Sequence, residues 1–262
     1  MLFETIELKE ENSIAIIFFN RPKVLNALNN KLLDELDIAV DKIKSDFKTK
    51  VLILSGKGDK AFVAGADIVE LSKLHPLESK AFSLKGQKIF SKIDELDFPS
   101  IASINGYALG GGLEIALACD FIYSSEKAIF GMPEINLGLI PGFGGTQRLS
   151  RLIGENKAKE LILTGKNITA QKALEYGIVN KIYGHDIFMK EVLKTAELIA
   201  QKGKIALRTA KQAIRNGLNV DLKTGLHIEN NAFGLNMASM DAKEGTMAFL
   251  EKREPNFKDE LY

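Results

Sequence analysis

The stretch NGYALGGGLEIALACD, Asn105–Asp120, joins three consecutive glycines to an apolar run and sets one carboxylate, Glu114, between Leu113 and Ile115. Forward of Gly110, Gly111 and Gly112 it predicts a helix. The first backbone N–H groups of that helix lack intrahelical partners and face the positive end of its dipole. Such a place suits a developing oxyanion. On the other side, SIASINGYA (Ser100–Ala108) is β-branched and apolar, which predicts a strand. An ionisable group inside a segment that otherwise reads as core needs a reason. Burial would raise a glutamate's pKa toward neutrality and let it exchange protons near physiological pH.

Outward from this stretch the first half alternates strands and helices. SIAIIFFN (Ser13–Asn20), VLILSG (Val51–Gly56) and FIYSS (Phe121–Ser125) read as strands. NNKLLDELDIAVDKI and KAFSLKGQKIFSKI place apolar residues at helical spacing. After about Thr146 the chain reads as helix after helix, with Gly165, Gly177, Gly203 and Gly217 expected just past helix ends. Only IVNKIY (Ile178–Tyr183) reads as extended there. SMDAKEGTMAFLEKREP predicts a last helix starting at Ser239 or Asp241, with an Asp241/Glu244 capping box and Pro255 as a stop. No fixed-period repeat or low-complexity linker separates independent domains. The fold class is α/β.

The 262 residues are 45% hydrophobic, enough for a substantial core, and 35 basic against 34 acidic residues leave a formal net charge of +1. Near-neutrality gives no global attraction to nucleic acid or an anionic membrane, which points to a small ligand. No signal-like segment opens the chain and no apolar run approaches bilayer-spanning length. A single cysteine, Cys119, excludes an intramolecular disulfide or a multi-cysteine metal site; it reads as a small core residue, and the cytoplasm is the expected compartment. His75, His185 and His227 are scattered, so zinc chemistry and a histidine-based triad have no foothold. No GxxxxGK[ST] spacing follows the glycines, which disfavours a nucleoside triphosphatase.

Two other segments could join the first in one site. In AFVAGADIVEL (Ala61–Leu71), Gly65 permits close backbone approach and Asp67 can start a helix. FGMPEINLGLIPGFGGTQRL (Phe130–Leu149) reads as a long irregular stretch carrying Glu134. Each residue also has a plainer reading: Glu114 on a solvent-facing helix surface, Glu134 as loop polarity, Arg148 and Arg151 as salt-bridge or capping residues. Together, two glutamates with glycine-rich backbone suggest acid/base chemistry beside main-chain donors.

NRPKVLNAL (Asn20–Leu28), AFVAGADI, NGYALGGGLE, FGMPEINLGLIPGFGGTQRL and MAFLEKREPNF (Met247–Phe257) together resemble the enoyl-CoA hydratase, or crotonase, family, in family order over nearly the whole chain. The resemblance implies a spiral of β-β-α turns over residues 1–195. It implies a C-terminal helical region over 196–262 that forms trimers, often paired into hexamers, and completes the CoA site. It also implies an oxyanion hole from the Ala66 and Gly111 N–H groups, catalytic Glu114 and Glu134, and acyl-CoA contacts at Ala64, Asp67, Ile68 and Val69. Lys23 and Lys252 would approach the CoA phosphates. The substrate is then an acyl-CoA thioester, with no added cofactor or metal and no nucleic-acid or membrane partner. Retention of both glutamates favours hydration of a trans-2-enoyl-CoA. Double-bond isomerisation, or an idle scaffold that binds RNA or protein, are the alternatives. Met132 and Leu113 depart from common family residues and leave the acyl-chain preference open, with short chains favoured.

Overall fold

The computed structural model describes residues 3–259. The chain begins with a hairpin, β1 (Ile6–Glu11) and β2 (Ile14–Phe19), followed by α1 (Asn30–Ser45). Then come β3 (Val51–Gly56), β4 (Ala61–Ala64), α2 (Ile68–Leu71) and α3 (Pro76–Asp94), followed by β5 (Ser100–Ile104), β6 (Tyr107–Leu109) and α4 (Gly111–Ala116). Next are β7 (Phe121–Ser125), β8 (Ile129–Gly131), α5 (Gly145–Ile153), α6 (Glu155–Thr164), β9 (Ile168–Thr169), α7 (Ala170–Tyr176) and β10 (Lys181–Tyr183). Four helices follow: α8 (Phe188–Ala200), α9 (Lys204–Gly217), α10 (Leu222–Met237) and α11 (Met240–Glu251).

The strands divide between two sheets. One has the order β1-β2-β3-β5-β7-β10, the other β4-β6-β8-β9. Each of the pairs β3/β4, β5/β6 and β7/β8 gives one strand to each sheet before the chain turns into helix, which produces a spiral of β-β-α turns. Neighbours from β2 to β10 in the larger sheet run parallel. Parallel strands covered on both faces are apolar throughout, and β3 is buried at all six positions. Its alternate residues serve two cores: Leu52 and Leu54 join α1 residues Leu32, Leu36 and Val40, whereas Val51 and Ile53 meet Phe188, Val192 and Ala196 of α8. Asn29 starts α1 by accepting the Leu32 N–H at 2.9 Å.

SIASINGYA is not one strand but two, in different sheets. The break falls at Asn105–Gly106, where the chain passes so close to the Lys60 carbonyl that a β-carbon on Gly106 would collide with it. Gly165 and Gly177 end their helices in left-handed conformations, as expected. Gly203 does not: it precedes α9 as its N-cap, and α9 runs through Gly217 in helical geometry to Leu218. IVNKIY is extended only over β10. The expected irregular stretch is interrupted by a 3-10 helix over Pro133–Leu137 and enters α5 at Gly145.

Ser239, not Asp241, caps α11, accepting the Ala242 N–H at 3.1 Å. The chain leaves the helix at Lys252, before Pro255. Asp241 and Glu244 form no capping box because both carboxylates hold the returning tail. Asp241 accepts the Lys258 N–H at 2.7 Å and the Asp259 N–H at 3.1 and 3.2 Å, and Glu244 accepts the Asn256 N–H at 2.8 Å. Asp259 in turn accepts the Lys204 N–H at the start of α9, at 2.7 Å, and pairs with Lys50 at 2.8 Å.

Helix α8 runs across position 195/196, and its buried face belongs to the sheet. α9 meets the core through ion pairs: Lys211 with Asp120 at 2.7 Å, Arg208 with Asp97 at 3.2 Å, and Arg215 with Asp94 and Glu95 at 3.3 and 3.0 Å. None of the residues of α9 or α10 is buried, and Leu218, Leu222, Phe233 and Phe249 are exposed. Among the described residues, no helix is long and apolar enough to cross a membrane.

Candidate active site

The site grows from the carboxyl ends of β4, β6 and β8. β4 and β6 are parallel, with Ala64 opposite Leu109, so Ala66 and Gly111 each lie two residues beyond a register pair. The NRPKVLNAL loop lines up beside the first of these ends. Asn26, fully buried, donates to the Ala61 and Lys57 carbonyls at 2.8 and 3.1 Å. The Ala64 N–H donates to the Leu25 carbonyl, the Leu28 N–H to the Gly65 carbonyl, and the Asp67 N–H to the Leu28 carbonyl. These bonds skip Ala66. Among the described residues, neither the Ala66 nor the Gly111 N–H has an acceptor. Ala66 lines a cavity of about 710 Å³, and Gly110, next to Gly111, lines it too.

Glu114 lies on the first turn of α4 and is 1% exposed. Its Oε1 accepts the Phe143 and Gly145 N–H groups, each at 2.7 Å. Desolvation pushes its pKa up, the Gly145 N–H opposes that shift, and the nearby Glu134 adds to it, leaving the group at about 7. Glu134, in the 3-10 turn after β8, also has a raised pKa, chiefly from burial. Its Oε2 is buried without a hydrogen-bond partner. A β-carbon on Gly110 would lie 2.6 Å from Glu134 Oε1, and Gly110 has φ +50°, so glycine serves both the turn and the carboxylate. Both glutamates face the cavity.

The other expected contacts separate. Ala64 and Ile68 line the cavity. Val69 is 68% exposed just outside it. Asp67 caps α2, and its carboxylate pairs with Arg21 at 3.0 Å. Burial pushes the Asp67 carboxyl up, but the Arg21 guanidinium and the Glu70 N–H outweigh burial and hold it below its ordinary value. Lys23 lines a separate shallow depression with Lys57 and Lys60. Lys252 is exposed at the end of α11 and does not line the cavity. Met132 and Leu113 are fully buried and do not line it either.

Sequence patterns missed three participants in this geometry. Phe143 forms cavity wall, its ring edge-on to Phe82 at 5.2 Å and to Phe90 at 5.5 Å. Helix α3 supplies Ser83 and Gln87, which its helical periodicity marks only as off the buried face. Among the described residues Arg148 pairs with no carboxylate; it donates to the Phe143 carbonyl and to Ser91. Cys119 is half-buried against the core, and desolvation raises its thiol pKa to about 12. Among the described residues, no group of three His, Cys, Asp or Glu side chains is placed to hold a metal ion.

Two carboxyl groups with elevated pKa values beside unused main-chain donors suit an enzyme that moves protons around an anionic intermediate. Comparisons with known proteins place that class more narrowly. A family described as Enoyl-CoA hydratase/isomerase matches residues 9–260. The chain is 46% identical over 257 residues to a crotonyl-CoA hydratase of Syntrophomonas wolfei, covering 98% of this chain and 99% of that one. It is 43% identical to a short-chain-enoyl-CoA hydratase of Clostridium acetobutylicum, over 97% of each chain. A crystal structure of an enoyl-CoA hydratase from Bacillus anthracis superposes with a TM-score of 0.95 at 42% identity, covering 98% of this chain and all of that one. This chain belongs to the enoyl-CoA hydratase/isomerase family.

Proposed function

We propose that the chain is an enoyl-CoA hydratase that reversibly adds water, in syn fashion, to a trans-2-enoyl-CoA. The observation that carries this reading is the pairing of Glu114 and Glu134, both with raised pKa values, across one cavity. Full-length similarity to proteins named for the same reaction supports it.

In the proposed reaction the thioester oxygen sits against the Ala66 and Gly111 N–H groups. Glu114 takes a proton from water as the water oxygen bonds to C3. The C2–C3 π electrons move toward the carbonyl, and the oxyanion of the resulting enolate is held by the two N–H groups. As the enolate collapses, Glu134 delivers its proton to C2. Proton exchange with solvent returns both glutamates to their starting states. In reverse, a 3-hydroxyacyl-CoA loses water. Ala64 and Ile68 would flank the thioester arm, with Asp67 and Val69 contributing backbone. Lys23, and Lys252 from a neighbouring subunit, would meet CoA phosphates.

Short acyl chains are the preferred substrates in this reading, because Phe143, wedged between Phe82 and Phe90, walls the cavity beside Glu114. The apolar residues left exposed on α9–α11 support assembly into a trimer or a pair of trimers. The seam between spiral core and assembly region is then drawn after α8. A cytoplasmic setting belongs to the same proposal, and the unpaired Cys119 fits it.

Hydration of crotonyl-CoA followed at the enoyl-thioester absorbance, with a panel of longer enoyl-CoAs, tests the reading. Turnover falling with chain length supports it. A shifted double bond with no solvent oxygen at C3 would replace it with isomerisation. Salt-sensitive RNA binding without any acyl-CoA turnover would favour the scaffold alternative.

A further inference from the structure

The peptide unit between Gly142 and Phe143 is gripped from both sides. Its carbonyl oxygen accepts the Ser83 hydroxyl at 2.6 Å and the Gln87 side-chain amide at 2.9 Å, both from α3. Its N–H donates to Glu114 Oε1 at 2.7 Å. A peptide bond is planar and polarisable, so donors on its oxygen fix the direction of its N–H and strengthen the bond that N–H makes. Gln87 also donates to Ser83 at 3.3 Å, which makes the two side chains one unit. The Phe143 carbonyl is held separately by Arg148 at 3.2 Å, so the segment is tethered at successive peptides. The seat is crowded: a β-carbon on Gly86, next to Gln87 and one turn after Ser83, would run into the Phe143 ring.

We infer that Ser83 and Gln87 are positioning residues for Glu114, acting through the Gly142–Phe143 peptide rather than by touching the reacting atoms. This rests on the hydratase reading, in which Glu114 is the base. The charged groups that bear on Glu114 are Glu134, whose charge raises its pKa, and Arg148, whose charge lowers it. Neither side chain hydrogen-bonds to Ser83 or Gln87. Removing the α3 donors weakens the Phe143 N–H bond, which favours the ionised form of Glu114, and so raises the pH at which the base becomes available.

The test is a Ser83→Ala/Gln87→Met double variant, with crotonyl-CoA turnover followed against pH and butyryl-CoA, which cannot be hydrated, as the binding probe. The expected result is an acid limb of kcat/KM displaced to higher pH and kcat lowered about 3- to 10-fold. Butyryl-CoA affinity should change less than kcat, and Ser83→Thr, which keeps the hydroxyl, should bring the limb back toward wild type. A limb that stays in place, or a change confined to KM, overturns the inference. Should the double variant fail to fold, Gln87→Met at its exposed position carries the same readout. Glu114→Gln separates this inference from the reading beneath it. Wild-type turnover in that variant removes Glu114 as the base. An inactive Glu114→Gln beside an unmoved limb in the double variant removes only the role of Ser83 and Gln87.

Discussion

Glu114 concentrates the conflict between folding and chemistry in one side chain. It is almost wholly buried, accepts two main-chain N–H groups, and still titrates at about 7 because desolvation outweighs them. As the proposed base it must be ionised, so kcat/KM should fall as pH drops through about 7, and a pH–rate profile on crotonyl-CoA checks this. Glu114→Gln and Glu134→Gln should each lose ~10²- to 10⁴-fold in kcat while still binding butyryl-CoA. Stability should respond with the opposite sign. The folded-state pKa lies above the ordinary 4.5, so the native chain holds a proton that the unfolded chain releases, and stability falls as pH rises from about 4.5 to about 7. Relative to wild type, Glu114→Gln should therefore gain roughly 3 kcal/mol between pH 4 and pH 8. Denaturant unfolding at the two pH values measures it.

At the scale of elements, the three glycines are a packing device as much as a turn. A β-carbon on Gly112 would strike the Val63 carbonyl where α4 crosses β4. Gly112→Ala should therefore cost about 1–3 kcal/mol, by strain that pries the helix from the strand. A lowered Tm together with lost activity is the expected outcome. Sequence patterns disclose elements unevenly. β2 and β3 are six-residue, mostly apolar runs and β7 opens on Phe-Ile-Tyr, and they are legible. β4, β6, β8 and β9 have two to four residues each and lie among glycines, too short for a period-two pattern to stand out. Beyond the part of β6 that SIASINGYA covers, the smaller sheet is therefore not legible, although it carries Ala66 and Gly111 just past its strand ends. Glu114 and Glu134 stand out as carboxylates in apolar, glycine-rich surroundings. Phe143 serves Glu114 through its backbone N–H, which no residue type advertises, and Ser83 and Gln87 act on that same peptide.

For the whole molecule, the C-terminal helices present an exposed apolar face. Leu218, Phe233 and Phe249 are each more than two-thirds exposed. Light scattering should give a trimer or its multiple for the wild type. Phe233→Asp/Leu218→Asp should shift it toward smaller species, and an unchanged mass would remove this face from the assembly. The side chains in the Arg208 and Arg215 ion pairs between α9 and the core are each more than a third exposed and these pairs add little, whereas the Lys211–Asp120 pair is largely buried.

Asp259 and Asp241 give the outer helices a fastener near the end of the chain. Trimming by a carboxypeptidase as far as Lys258 would both free the amide that begins α9 and strip Lys50 of its carboxylate. Both attachments lie far from the glutamates in sequence, yet they hold the framework that carries the exposed apolar face. A few residues nibbled from the tail should thus loosen subunit association before the spiral itself begins to melt.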